Sequence, residues 1–400
     1  MKFFLKKLFG KRLVGLYHYF FALIGAVVYR FPSKKLFVIG VTGTKGKSTV
    51  VEIINSILEN AGEKTALLSS IRVKVGKHSE KNATGNTMPG RFFIQRFLSQ
   101  AANAGCDYAI LEVTSQGAVQ HRQRFIDWDA GIITNLEPEH IEAHGSFEKY
   151  RQAKVGFFRS VAKSKKDKKT FLINKNLKDK EYFVKESGSN TVFFSKEDLN
   201  IKNINPWLRP DFNLENAAAA AALAKALKIN EEIIEKTLKD FNGVPGRLEV
   251  VQEKPFKVVI DYAHTPDSLE QLYEALKPAR LICVLGAAAG GRDRWKRPIM
   301  GNVAAQHCEK IILTNEDPYD EDPGKIISEI KSGISEFDPS AFFEILDRRE
   351  AIKKAVSLAK GGDTVVLTGK GSELWMNLKN GKKIPWNERK ITEEILHINK

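Results

Sequence analysis

The sequence predicts an α/β chain with two mainly parallel, doubly wound sheets, preceded by a short apolar helix. Three observations carry this. From residue 36 onward, apolar runs of strand length alternate with helical patterns, as in parallel sheets covered by helices on both faces. The first run empties into a glycine-rich loop, and a helical period starts directly after it. The turn-rich Gly243-Val-Pro-Gly-Arg247 separates two such series, dividing the chain into 1–35, 36–243 and 244–400.

The leader, 1–35, differs from the rest. Residues 13–29 carry no formal charge and are rich in aromatics, with Lys6, Lys7, Lys11 and Arg12 before them and Arg30, Lys34 and Lys35 after. As a helix this stretch spans roughly 26 Å. That falls short of the roughly 30 Å hydrocarbon core of a bilayer, and His18 lies inside it. Tyr17, Tyr19 and Tyr29 suit a helix lying in the lipid interface. A helix packed on the protein's own surface is the alternative. No small-residue cleavage site marks a secretory signal.

A strand is expected over 36–41, followed by Thr42-Gly-Thr-Lys-Gly-Lys-Ser48 and a helix with Val50, Ile53, Ile54, Ile57 and Leu58 on one face. In that setting, backbone N–H groups of Gly43, Thr44, Lys45, Gly46 and Lys47 can cradle phosphate oxygens at the positive end of the helix. The Lys47 ammonium can reach the terminal phosphates and the Ser48 hydroxyl can ligate Mg²⁺, with Thr49 completing the ATP-binding candidates. The strict phosphate-loop pattern fails at one position, because Val41 stands where its first glycine belongs. A glycine-rich turn without a ligand is therefore the alternative.

Further strands are expected over 108–113, 130–134 and 170–174, and an alanine-rich helix over 213–227 packs closely on its neighbours. After the 243–247 turn come strands over 257–260, 281–285, 310–313 and 364–367. The chain thus reads as a P-loop central ATPase domain with a mainly parallel sheet, then a C-terminal Rossmann-like domain. Their strand ends carry the unusual residues, where ligands bind in such sheets. Glu112 ends one strand at the level of the loop and can hold Mg²⁺ beside Ser48, although an exposed strand-end glutamate is the plain alternative. His140 and His144 are spaced four apart, which is compatible with metal ligation or with chance. Asp261-Tyr-Ala-His264 follows a buried strand. Residues 286–297 combine Gly and Ala with Arg292, Arg294, Lys296 and Arg297, suited to phosphate or carboxylate, or else to a flexible loop.

Composition narrows the class. The chain has 400 residues and 42% hydrophobic content, enough for sizeable cores, so it is globular. A net charge of +15 favours anionic partners. No stripe of basic residues interleaved with aromatics suggests a nucleic-acid groove, and none is expected as a partner. The run Lys163-Ser-Lys-Lys-Asp-Lys-Lys169 reads as a solvated loop. Cys106, Cys283 and Cys308 lack C-x-x-C spacing, which fits a reducing compartment and indicates no cysteine chemistry.

Seven stretches, taken in order, carry a resemblance: Thr42 to Ser48; Glu112-Val-Thr-Ser-Gln-Gly-Ala-Val-Gln-His-Arg122; His144-Gly-Ser-Phe-Glu-Lys-Tyr-Arg-Gln-Ala-Lys154; Phe212-Asn-Leu-Glu-Asn216; Gly243-Val-Pro-Gly-Arg-Leu-Glu249; Asp261-Tyr-Ala-His-Thr-Pro-Asp267; and Gly369-Lys-Gly-Ser-Glu373. Together they resemble the Mur ligases, most nearly the MurE type, over roughly 36–400. The resemblance implies an ATP-dependent ligase that phosphorylates a muramoyl-peptide carboxylate and joins it to an amino acid in peptidoglycan precursor synthesis. It also implies a cytoplasmic enzyme, here with a peripheral contact to the inner face of the membrane through 1–35. Lys47, Glu112, His140 and Lys154 become the catalytic candidates. Ser48 and Glu112 would hold one Mg²⁺ and His140 would help hold a second. Lys154 would be a carbamate, an anion able to ligate metal where a cation could not. Asn216, Arg247, Asp261 and His264 match ATP contacts. Asn86, Thr87, Thr114, Gln120 and Arg122 match the cradle for the muramoyl peptide, and Glu316, Asp317, Gly369 and Glu373 the pocket for the incoming amino acid.

This sequence departs from the family at several points. Family members usually begin with a domain that grips a uridine nucleotide, where this chain has its aromatic, basic leader. A lipid-linked or poly-γ-glutamyl acceptor is therefore the second reading, and a non-catalytic ATP-binding relative the third. Tyr319, in Glu316-Asp-Pro-Tyr319, stands where diaminopimelate-adding members carry an arginine that clamps a second carboxylate, so an amino acid other than diaminopimelate is expected. Ser372 and Gln116 each replace a histidine, and Pro210 a glycine.

Overall fold

A computed structural model of the chain describes residues 2–290, 292–335 and 338–397, with side chains from residue 14 on. The basic flank Lys6, Lys7, Lys11 and Arg12 lies outside the described side chains, and Gly291 of the 286–297 loop outside the described residues. The chain divides into two compact units: residues 1–139 with 146–242, and residues 140–145 with 243–400.

The first unit is built on β1 (Phe37–Thr42), β2 (Thr65–Leu68), β3 (Arg72–Val75), β4 (His78–Lys81), β5 (Tyr108–Glu112), β6 (Ala130–Ile133), β7 (Thr170–Asn174) and β8 (Thr191–Phe194). They form one sheet in the order β4-β3-β2-β5-β1-β6-β7-β8. Pairing is parallel except for the β2-β3 and β3-β4 contacts at one edge. The interior strands are continuous apolar runs because helices cover both faces. Trp128, Phe157, Phe158 and Phe183 pack on one of those faces. The register sets Val41 opposite Glu112 and Thr42 opposite Ile133, so the loop after β1 leaves the sheet beside the ends of both neighbours. Helix Lys47–Asn60 buries Val50, Ile53, Ile54, Ile57 and Leu58, the face its spacing predicts. Helix Asp211–Ala226 packs on it, and its alanine run lets the two backbones approach closely.

The leader forms the helix Lys2–Val28, starting earlier than its uncharged stretch suggests. One face, with Ala22 and Ala26 fully buried, packs on helix Arg91–Asn103. Tyr19 meets Phe125 at 5.1 Å between ring centroids and Phe21 meets Phe92 at 6.2 Å. Among the described residues no helix is long and apolar enough to cross a membrane.

In the second unit β9 (Glu249–Gln252), β10 (Lys257–Ile260), β11 (Leu281–Leu285), β12 (Lys310–Leu313), β13 (Phe342–Glu344) and β14 (Thr364–Leu367) form a sheet in the order β13-β12-β11-β14-β10-β9, antiparallel only at β9. A small hairpin, β15 (Trp375–Asn377) with β16 (Lys383–Pro385), lies outside that sheet. Buried Arg348 and Glu388 form an ion pair at 2.5 Å that fixes helix Arg348–Leu358 to helix Glu388–Leu396. The expectation of no cysteine chemistry is corrected here. Cys283 and Cys308 form a disulfide, with Cα atoms 6.0 Å apart. Sequence separation concealed the pair, because helix Lys296–His307 returns the chain to the start of β12, directly beside β11.

Candidate active site

In the first unit the loop 43–46 lies at the carboxyl edge of the sheet, where the connection from β1 runs to one side and that from β6 to the other. This divergence opens the crevice in which ligands bind. Two glycines are obligatory. Gly46 caps helix Lys47–Asn60 at φ 79°, and a Cβ there would stand 2.1 Å from Asn216 Oδ1. On Gly43 a Cβ would stand 1.9 Å from Thr134 Oγ1. The end of β6 grips the loop from beside it, as Lys45 N donates to Asn135 Oδ1 at 2.8 Å and Thr134 Oγ1 donates to the Lys45 carbonyl at 2.7 Å, and from helix Phe147–Ala162 Tyr150 OH meets Thr44 Oγ1 at 2.9 Å. A loop so held keeps its N–H groups in fixed directions.

Two lysines converge on one carbonyl of this loop. Lys47 Nζ donates to the Gly43 carbonyl at 3.0 Å and to that of Thr44 at 2.9 Å. Lys154, from helix Phe147–Ala162, donates to the Gly43 carbonyl at 2.6 Å. Its side chain is 2% exposed. Burial first, and then the like charge of Lys47, hold its amine well below the ordinary lysine range, with the Glu139 carboxylate opposing them. On the other side of the loop, Ser48 Oγ lies 2.9 Å from Ser70 Oγ. Ser70 donates to Glu112 Oε1 from its backbone N–H at 3.0 Å and from its hydroxyl at 3.3 Å. Ser48 and Glu112 are thus joined through Ser70, giving oxygen donors of the kind Mg²⁺ takes.

The acceptor candidates surround the turn after β5. Thr114 caps helix Ser115–Val119, accepting from Gly117 N at 3.0 Å. Arg122 donates to Gln120 Oε1 at 2.8 Å and to the Met88 carbonyl, which ties the 86–89 segment to this turn. Its Nε is buried with no hydrogen-bond partner. Asn86 is exposed and bonded to Thr84, and Thr87 is half-buried.

His140 belongs to the second unit. It precedes helix Ile141–His144 at φ 56°, and Asp293 accepts from the backbone N–H of Ile141 and Glu142 at 3.3 and 2.9 Å. Ser48, Glu112 and Lys154 thus lie about one loop of the first unit, and His140 is part of the second. Among the described residues no group of three or more His, Cys, Asp or Glu side chains is placed to hold a metal ion.

The second unit brings together the ends of β10, β12 and β14. Asp261 accepts from Leu248 N at 2.7 Å and Ala263 N at 2.6 Å, and burial raises its carboxyl above the usual range against the nearby Arg247 charge. Arg247 stacks over the Tyr262 ring at 4.3 Å, and His264 Nδ1 meets the Tyr262 carbonyl at 2.7 Å. Buried Lys370 donates to Asp317 Oδ1 at 2.8 Å, Glu373 Oε2 at 2.6 Å and the Trp375 carbonyl at 2.8 Å. Burial works to lower its ammonium, yet Glu373 and Asp317 hold it above the usual range. The Tyr262 hydroxyl donates to Glu373 Oε1 at 3.1 Å. Glu316 packs against Gly369, is raised by burial, and keeps Oε2 buried without a partner. Tyr319 adopts φ 48° and bonds through its N–H to the Asn377 carbonyl at 3.2 Å.

Sequence reasoning missed Ser70 and Lys370. Ser70 belongs to a polar pair directly after the short apolar strand β2, a position at the ligand edge that periodicity does not mark. Lys370 lies inside the Gly369-to-Glu373 motif, where only the glycine and the carboxylate were singled out.

A family model described as the Mur ligase middle domain matches residues 41–206. A second, described as the Mur ligase, glutamate ligase domain, matches 246–371. The UDP-N-acetylmuramoyl-L-alanyl-D-glutamate--2,6-diaminopimelate ligase of Syntrophomonas wolfei is 35% identical over 404 residues, covering 94% of this chain and 81% of its own length. A solved structure of a UDP-N-acetylmuramoyl-L-alanyl-D-glutamate--2,6-diaminopimelate ligase is 28% identical, with a TM-score of 0.58, covering 91% of this chain and 78% of its own. Folylpolyglutamate synthase from Mycobacterium tuberculosis, solved with ADP and AMPPCP, shares the fold at a TM-score of 0.69 and 16% identity, covering 87% of this chain and 91% of its own.

Proposed function

This chain belongs to the Mur ligase family, and from that premise we propose that it is an ATP-dependent ligase that joins an amino acid to a muramoyl-peptide carboxylate through an acyl phosphate, in peptidoglycan precursor synthesis. The observation that carries the reading is the convergence of Lys47 and Lys154 on the Gly43 carbonyl, beside the Ser48–Ser70–Glu112 chain.

In the reaction, a carboxylate oxygen of the acceptor attacks the γ-phosphorus of ATP and the bond to the ADP oxygen breaks. The amine of the incoming amino acid then attacks the acyl carbon, loses a proton, and phosphate leaves. Backbone N–H groups of 43–47 and the positive end of helix Lys47–Asn60 hold the phosphates. Lys47, already turned onto the loop, neutralises the transferring group. Ser48 and Glu112 fit Mg²⁺, which offsets phosphate charge when bound, and His140 is proposed for a second ion. Burial and the like charge of Lys47 lower the Lys154 amine, which favours the neutral form whose lone pair attacks carbon dioxide and which releases a proton to give the carbamate. Asn216, Arg247, Asp261 and His264 are assigned to ATP. Asn86, Thr87, Thr114, Gln120 and Arg122 are assigned to the acceptor, where the unbonded buried Nε of Arg122 offers a donor to an anion. Glu316, Asp317, Gly369 and Glu373 receive the amino acid, with a carboxylate facing its ammonium. Tyr319 in place of an arginine supports an amino acid other than diaminopimelate.

We place the protein in the cytoplasm, with residues 1–35 in peripheral contact with the inner face of the membrane. The exposed apolar side of helix Lys2–Val28 favours a lipid-linked acceptor as the second reading.

The test is phosphate release by the full chain with ATP, Mg²⁺, UDP-muramoyl dipeptide or its lipid-linked form, and single amino acids, with mass spectrometry of the product. Release with a ligated product, lost in Lys47→Ala, is expected. ATP binding without release for any acceptor and amino acid pair contradicts the reading.

A further inference from the structure

Helix Lys2–Val28 has a second face that nothing in its own unit covers. Leu16, Tyr17, Phe20, Ile24, Val27 and Val28 are each about half exposed, from 47% at Ile24 to 58% at Val28. At about 100° per residue they fall within a sector of roughly 120°, opposite the buried Ala22 and Ala26. A contiguous patch of large apolar side chains is what soluble surfaces avoid unless something covers it.

Two basic segments, far apart in sequence, meet at the end of this helix. After it the chain turns through Arg30 into the single turn Pro32–Lys35, leaving Arg30, Lys34 and Lys35 exposed. The 163–169 loop is tied to that turn. Lys166 Nζ donates to the Leu36 carbonyl at 2.6 Å and pairs with Asp129 at 3.1 Å. Asp127 links the two, its N–H donating to Ser33 Oγ at 3.0 Å and its carboxylate accepting from Lys165 N at 3.3 Å. Lys163, Lys165 and Lys168 stay exposed, with Asp167 the one exposed acid within the loop. The run that reads as a solvated loop is thus the second half of a cation cluster adjoining an apolar, aromatic helix face.

We propose that this composite surface docks on an anionic phospholipid membrane, with the helix lying in the interface plane. The inference deepens the proposed function and rests on its reading of the leader. The pairing of a tyrosine- and phenylalanine-bearing apolar face with lysines and arginines suits anionic lipid headgroups over acyl chains. A second copy of the chain would set a cation cluster against a face without complementary acid. Among the described residues no helix is long and apolar enough to span, which favours the in-plane position. Docking also has a consequence for the acceptor. Arg91 contacts His18 of the helix and donates from Nε to the Gln120 carbonyl at 3.1 Å, so the acceptor turn sits one side chain from the docked helix.

The test is co-sedimentation of the full chain with phosphatidylcholine vesicles, with and without phosphatidylglycerol, run beside the phosphate-release assay on a soluble acceptor. Binding to anionic vesicles that falls with salt is expected. At roughly fivefold per cation, Lys163→Gln/Lys165→Gln/Lys168→Gln lowers partition about a hundredfold. Phe20→Glu/Ile24→Glu abolishes it while circular dichroism and soluble-acceptor activity are kept. No sedimentation with any vesicle by an active protein overturns the docking and leaves the ligase reading intact. So does a dimer in light scattering that Phe20→Glu/Ile24→Glu dissociates, since the face would then join two copies. Vesicle binding by a protein that releases no phosphate supports the docking and counts against the ligase reading instead.

Discussion

Gly46→Ala probes the phosphate loop through a single methyl group. Two effects add at this position. An alanine held at φ 79° costs roughly 1–2 kcal/mol relative to glycine. Its Cβ would also stand 2.1 Å from Asn216 Oδ1, far inside van der Waals contact, so Asn216 must leave its rotamer at about 0.5–1.5 kcal/mol. The hydrogen bond from Asn216 to Asn213 weakens with it, about 0.5 kcal/mol more. The sum is roughly 2–4 kcal/mol, read as a lower urea midpoint together with at least tenfold weaker ATP binding. Gly62→Ala is the internal control. It has a similar φ of 89° but nothing within 4 Å of the added Cβ, so only the backbone cost of roughly 1–2 kcal/mol applies. In the double variant Gly46→Ala/Asn216→Ala the clash is gone, and the thermodynamic cycle should return about 1 kcal/mol of favourable coupling. If Gly46→Ala and Gly62→Ala destabilise equally, or the cycle shows no coupling, the close approach of Asn216 to the loop is wrong.

Four further outcomes are expected. Ser70→Ala severs the link between Ser48 and Glu112 and raises the Mg²⁺ concentration needed for half-maximal activity about tenfold, with the urea midpoint unchanged. Labelled bicarbonate is expected to give a carbamate carbon signal in the NMR spectrum of the wild type, and Lys154→Met to abolish it. In bicarbonate-free buffer, where Lys154 is a free amine, the substitution also flattens the pH dependence of stability: with the folded amine depressed, the unfolded chain holds the extra proton, so wild-type stability rises with pH between the depressed value and the ordinary lysine value. Lys370→Met leaves Asp317 and Glu373 without their shared cation and destabilises the second unit by about 3–5 kcal/mol in urea unfolding. Diaminopimelate gives a lower kcat/KM than an amino acid with one carboxylate, and Tyr319→Arg narrows the gap; a wild type that prefers diaminopimelate counters the specificity reading.

What the sequence made legible follows from burial. The strands expected over 36–41, 108–113, 257–260 and 281–285 lie inside their sheets, where helices on both faces demand unbroken apolar runs. Arg72–Val75 and His78–Lys81 went unread because they form an edge hairpin, and edges carry charged, exposed side chains that protect them from further pairing. The same limit applied to β13 and β9, short strands at the two edges of the second sheet. At the site, the turn 43–48 was legible because so tight a passage from strand to helix needs glycine at fixed places. Ser70 was not, since its role depends on β2 ending beside β5, a long-range pairing that leaves no local trace. The Cys283–Cys308 bond was hidden for a related reason, as it joins the middle of β11 to the residue two before β12, across an intervening helix.

In the proposed reaction an acceptor carboxylate takes the γ-phosphate of ATP at this loop before the amine attacks. Heavy oxygen placed in that carboxylate reports on it directly. The released phosphate is expected to carry one labelled oxygen for each product formed, because the bridging oxygen of the acyl phosphate leaves with phosphorus. Phosphate that takes its fourth oxygen from water, with the label retained in the acceptor, would contradict it.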